Sequence, residues 1–144
     1  MARACLALQD EAEANVNLIL WCCWRAWRLG QATDRAALAA AEARAASWHR
    51  AAVVPLRALR HAVRQTPKTY AALKAAELAA EEDEQALILD EEDAKTANEQ
   101  EDAIDRLALA HQALRHYLVG RLGMSEGAAA PAIDHLLAAL RQLD

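Results

Sequence analysis

Apolar positions along this chain recur at helical rather than strand spacing, and they are densest between Asn15 and Gly30. That stretch reads Asn-Val-Asn-Leu-Ile-Leu-Trp-Cys-Cys-Trp-Arg-Ala-Trp-Arg-Leu-Gly. Val16, Leu20, Cys23 and Trp27 share one face, and Leu18, Trp21, Cys22 and Leu29 cover much of the rest. A helix apolar nearly all round is a bundle core or a membrane span. A span needs about 20 continuous apolar residues, and Asn17, Arg25 and Arg28 break this run. The pattern therefore predicts a buried central helix, capped by Asn15 and stopped by Gly30.

The other elements follow from the same periodicity. Residues 2–13 predict a short first helix with Cys5, Leu8 and Ala12 on one face. Thr33 or Asp34 starts an alanine-rich third helix ending near Ala46, and Ser47 can cap a fourth reaching about Gln65. There Ala52, Leu56, Leu59 and Val63 predict the buried stripe, with Arg50, Arg57, His61 and Arg64 opposite and Arg60 beside them. Pro55 predicts a kink or break, because it has no amide to donate and its ring clashes with the preceding turn.

Thr66-Pro67 predicts the start of a fifth helix running to about Asp93, with a thin stripe of Tyr70, Leu73, Ala76, Ala80 and Leu87. Like charges oppose helix formation over the acidic residues 90–102, which can be a loop, a frayed turn or a continuation of the helix and are a candidate flexible segment. A sixth helix, about Glu99 to Leu122, carries Ile104, Leu107, His111, Leu114 and Leu118, with His111 as a core histidine. Gly127 to Ala130 reads as linker before a last helix that starts at Pro131 and carries Ile133, Leu136, Leu137 and Leu140. No internal repeat is present. The expected fold is all-α: a single compact, bundle-like domain of six or seven helices spanning residues 1–144.

Composition strengthens that expectation. Of the residues, 55% are hydrophobic, many of them alanine, the strongest helix former, and there is no Phe. Net charge is −5, which argues against general nucleic-acid affinity, but it is unevenly placed. Residues 1–80 carry 11 Lys/Arg against 6 Asp/Glu, whereas residues 81–105 carry 12 Asp/Glu against a single Lys. Cys5, Cys22 and Cys23 have no disulfide-framework spacing and read as reduced core thiols. Met1-Ala2-Arg3 leads directly into an amphipathic helix, so neither a leader nor a membrane anchor is expected, and the expected location is cytoplasmic.

Catalytic signatures are absent. The two serines, Ser47 and Ser125, lie in no nucleophile elbow, and the four glycines fit neither a phosphate loop nor a dinucleotide fingerprint. A di-metal bundle needs Glu-x-x-His, but alanine stands three residues before each of His49, His61, His111, His116 and His135. No enzyme activity, metal or cofactor is expected.

Two features can bind a partner. Arg50, Arg57, Arg60 and Arg64 make a basic helix face that can grip phosphates or an acidic protein, or lie against the acidic fifth helix of the same chain. Glu81, Glu82, Asp83 and Glu84 open the acidic run. Trp21, Trp24 and Trp27 can also line a small-molecule pocket, although their helical spacing suits packing.

The order of elements carries a resemblance. Ala4 to Asp10 (Ala-Cys-Leu-Ala-Leu-Gln-Asp), Val16 to Leu20 and Trp24 resemble an uncharacterised family of small proteobacterial helical proteins. Trp48, the segment Val53 to Arg60 and Ala75-Ala76-Glu77-Leu78 extend the similarity over roughly the first 90 residues. The resemblance implies a further helical segment ahead of the Ala-Cys-Leu element, where this sequence has almost nothing. Exposed apolar surface near Cys5 and Leu8, and self-association as a homodimer, are expected from that. The family brings no established activity. It implies an adaptor role beside a cytosolic ABC-type ATPase. The functional expectation is a non-enzymatic adaptor acting through its basic and acidic helices, with a small-molecule-binding domain as the alternative.

Overall fold

The computed structural model describes residues 2–89, 93 and 105–143. Among these residues there are six continuous helical rods and no strand. Helix α1 (Ala2–Ala12) stops at Glu13, whose left-handed φ of 51° turns the chain so that the Ala14 N–H reaches the Leu8 carbonyl at 3.2 Å. Asn15 caps α2 (Val16–Trp24) by accepting from the Asn17 N–H at 2.9 Å. The rod continues as a π-helical segment, Arg25–Leu29, and Gly30 ends it at φ 63°.

Asp34 caps α3 (Arg35–Trp48), accepting from the Ala37 N–H at 2.8 Å. The break expected at Ser47 does not occur. The rod passes through a second π segment, His49–Val53, into α4 (Val54–Ala62). The π register explains how Pro55 is tolerated. The Val54 N–H bonds to the His49 carbonyl, five residues back, so the turn ahead of the proline is already widened.

Pro67 opens α5 (Pro67–Ile88), although the Thr66 side chain makes no cap. This helix ends before Asp93, and Arg44 donates to its last carbonyl, Ile88, at 2.5 Å. The expectations for residues 90–102 lie, apart from Asp93, outside the described residues, as does Ile104. Asp105 caps α6 (Arg106–Arg115), which runs into a third π segment, His116–Arg121. Helix α7 (Glu126–Leu140) begins at Glu126, not Pro131. Ser125 accepts from the Ala128 N–H at 3.2 Å and Ala129 is fully buried, so residues 127–130 are helix, not linker.

The core gathers Leu18, Ile19, Cys22 and Ala26 of the α2 rod with Leu38 and Ala41 of α3, Leu114 and Leu118 of the α6 rod, and Ile133 and Leu136 of α7. Each large side chain buried here contributes about 1.5–3 kcal/mol. Buried alanines 41, 45, 110, 113 and 129 let the rods approach closely. Helix α5 packs along α3 and α4 and touches α2. No helix among the described residues is long and apolar enough to cross a membrane.

Cys5 and Leu8 are buried on one face of α1, and apolar surface beside them is exposed at Leu6. His111, expected in the core, is exposed, because α6 turns Ala110, Ala113 and Leu114 inward. The α2 rod is buried on most sides, as expected; among the described residues Val16, Leu20, Trp24 and Trp27 stay partly buried along the remaining stripe.

Candidate functional site

The charged residues picked out on α4 and α5 mostly meet each other. Arg57 donates to Glu77 at 3.0 Å and to Glu81 at 2.8 Å, and Arg60 also donates to Glu77. Burial pushes the Glu77 carboxyl up, but the two guanidiniums outweigh that and hold it below the ordinary carboxylate range. This inverts part of the expected pattern. Arg57 and Arg60 lie half-buried with Leu56 and Val63, while Leu59 is 53% exposed. On α5 the inward positions are Glu77, Ala80, Glu84 and Ile88, and Leu87 faces out. The expected partner-binding set is thus divided. Arg50, Arg64, Glu82 and Asp83 are exposed; Arg57, Arg60, Glu81 and Glu84 are engaged within the chain.

Glu84 forms a second polar centre in the interior. It is 1% exposed and accepts from Asn17 Nδ2 at 2.7 Å, Asn15 Nδ2 at 2.8 Å and His49 Nδ1 at 2.7 Å. Burial again opposes ionisation, yet these donors hold the carboxyl below its ordinary value. An ionised Glu84 makes His49 Nδ1 the donor, which leaves Nε2 for other partners. Asn17 is saturated, since it also donates to the Glu81 carbonyl at 3.0 Å and accepts from Gln85 at 2.9 Å. The Asn15 N–H donates to the Tyr117 hydroxyl at 2.8 Å, tying α6 to the same centre.

His49 and Asn15 open onto a cleft of about 470 Å³, together with Glu13, Leu18, Glu42, Arg50, Tyr117, Arg121 and Leu122. Burial raises the Tyr117 hydroxyl to about 12. The polar walls share one local cause. His49 and Arg50 begin one π-helical segment, and Tyr117 and Arg121 belong to another. Such segments are uncommon and recur at functional sites.

The tryptophans do not share one environment. Trp21 is buried, donates from Nε1 to Asp93 at 2.9 Å and lies 5.0 Å below Arg25, which bonds the same carboxylate at 2.5 Å. Trp24 and Trp27 lie on the partly covered face of the α2 rod. Leu20 is common to three adjoining hollows on that face. One, about 360 Å³, runs past Trp21, Trp24, Ile88 and Leu89. Another, about 420 Å³, is lined by Trp24, Trp27, Arg28, Leu140 and Leu143. The largest, about 670 Å³, passes Leu6, Val16, Tyr70, Lys74 and Leu78. Leu6 and Leu78, beside the largest, and Leu143, beside the 420 Å³ hollow, are more than half exposed. Together they form one apolar trough.

Sequence reasoning left Asn17, His49, Tyr117 and Gln85 out of any site. The available signal was Asn17, an amide inside an otherwise apolar run, which needs a buried partner. The three cysteines are free and buried; burial pushes Cys23 up to about 12 and raises Cys22 further, so they are poor nucleophiles. Among the described residues, no group of three or more His, Cys, Asp or Glu is placed to hold a metal ion.

A family model described as a protein of unknown function, DUF2390, matches residues 1–88, and the chain belongs to that family. Helices α1 to α5, with Asn15, Asn17, His49 and Glu84, fall inside the match; Tyr117 and Arg121 lie beyond it. No curated protein and no solved structure matches the chain.

Proposed function

We propose that this protein is an interaction domain without catalysis of its own, and that its trough along α2 receives an amphipathic helix from another protein. The observation that carries this reading is the row Val16, Leu20, Trp24 and Trp27. These residues stand at helical spacing and only partly buried, beside exposed Leu6, Leu78 and Leu143. Contiguous apolar surface of this kind on a folded chain marks a site of association. An elongated trough suits a helix presenting apolar residues one turn apart better than it suits a compact small molecule.

Charge favours an acidic partner. Among the described residues, the trough's Glu77 and Glu81 are answered by Arg57 and Arg60, whereas Lys74 and Arg28 have no ion-pair partner. A bound helix with Glu or Asp flanking its apolar stripe meets both cations. This reading moves the interaction site from the charged faces of α4 and α5 to the tryptophan face.

Tryptophan fluorescence provides the test. An amphipathic peptide with a Glu-rich polar face should saturate the protein with a blue shift. The same apolar stripe on a Lys-rich peptide should bind at least tenfold more weakly at low salt. Leu20→Asp should abolish the response while leaving the helical circular dichroism unchanged. Saturation by neither peptide, or equal binding in Leu20→Asp, sinks the proposal.

A further inference from the structure

The cleft beside His49 lies across α2 from the trough, on the side of Leu18, and nothing above gives it a role. Its volume of about 470 Å³ is in the range of small-molecule sites. Its floor is apolar, formed by Leu18, Ala43, Ala46 and Leu122. The charges on its rim decide the ligand class. Glu42 and Arg121 neutralise each other at 2.6 Å. Among the described residues, Arg50 and Glu13 are the rim charges with no ion-pair partner, and they are opposite in sign. Further in, the Tyr117 hydroxyl accepts from Asn15 and keeps its own proton to donate, and His49 keeps Nε2.

Glu13 supplies an independent observation. It is the one non-glycine residue with positive φ among the described residues, at the helix-ending position that glycine occupies most easily. The Ala14 N–H bond to the Leu8 carbonyl offsets the strain of the turn for any residue at this position, and among the described residues the Glu13 carboxylate itself has no hydrogen-bond or ion-pair partner. Strain of this kind is retained where the side chain serves a site. The walls opposite are built on two π-helical segments, which carry the same implication.

We propose that this cleft binds a small zwitterion of the α-amino-acid class. The ligand's carboxylate meets the Arg50 guanidinium, its ammonium meets Glu13, and its side chain rests on Ala46 and Leu122. A simple anion is disfavoured, because Glu13, Glu42 and the buried Glu84 offset the arginines; a simple cation is disfavoured by Arg50 and Arg121.

The test is calorimetric titration of the full chain with L-leucine, acetate and ethylamine. L-leucine should bind saturably, and acetate and ethylamine at least tenfold more weakly. Arg50→Ala and Glu13→Gln should each weaken L-leucine by about tenfold or more. Glu13→Gly should raise the melting temperature by roughly 2–5 °C through relief of the left-handed strain while losing binding. Leu20→Asp, in the trough, should leave L-leucine binding unchanged, so this site and the trough fail or stand separately. Absence of saturable binding by L-leucine overturns the proposal, as does acetate binding as tightly as L-leucine, or unchanged affinity in Glu13→Gln.

Discussion

Helix α5 turns a glutamate inward at two levels, and the molecule answers each differently. At Glu77 the reply is charge for charge: two guanidiniums, each partly open to solvent, clamp the α4–α5 arm at its edge. At Glu84 the reply is two neutral amides and an imidazole, in a place solvent hardly reaches. An edge ion pair is an ordinary way to fasten two helices. A buried carboxylate held by three donors from α2 and the α3–α4 rod is costly, because a well-packed apolar side chain is often at least as stable there. The difference teaches that the lower level aligns specific groups, His49 among them, while the upper level holds an arm in place.

Breaking that comparison is direct. Glu84→Gln should destabilise the fold by about 3 kcal/mol or more, because the amide sets a donor against groups that donate to the carboxylate and each hydrogen bond to a charged group is worth about 1.5–3 kcal/mol. Glu77→Gln should cost about 1.5–3 kcal/mol, the range for hydrogen bonds to charged groups at a half-open site. Urea denaturation of both variants measures the order, and equal losses would erase the distinction between the two levels.

Acid sharpens it. Both carboxyls are held below their unfolded value of about 4.3. Their contribution is therefore complete above that pH and is lost as pH falls through their lower folded values. The melting temperature of the native chain should hold above about pH 5 and drop as pH falls below it, and Glu84→Gln should lose part of that slope. An unchanged slope would mean that Glu84 titrates alike in the folded and unfolded chain.

The smallest effect is expected on the outer side of the arm. Leu59→Ser should shift stability by no more than about 0.5 kcal/mol, because Leu59 is 53% exposed and the arm is held by ion pairs on its other side. A loss several times larger, by the same denaturation assay, would restore the apolar stripe that periodicity predicted for α4.

The outlines of the fold were legible because helix ends are local chemistry. Asn15, Gly30, Asp34 and Pro67 act where they were expected, through groups within one turn of themselves. Ser47 and Pro131 misled because their effects depend on neighbours. A π turn absorbed Pro55 and carried the rod past Ser47, and burial of Ala129 drew the last helix forward to Glu126.

Sequence alone determined an all-helical chain with a tryptophan-bearing helix at its centre, because propensity and period are properties of each segment by itself. Tertiary structure decided which faces turn inward. On α4 and α5 an apolar stripe and a charged stripe compete at nearly the same spacing, and only the presence of Arg57 and Arg60 opposite Glu77 lets the charged one face the interface. It likewise decided that, among the described residues, one stripe of α2 is only partly covered, since no segment's own pattern records which neighbour packs on it.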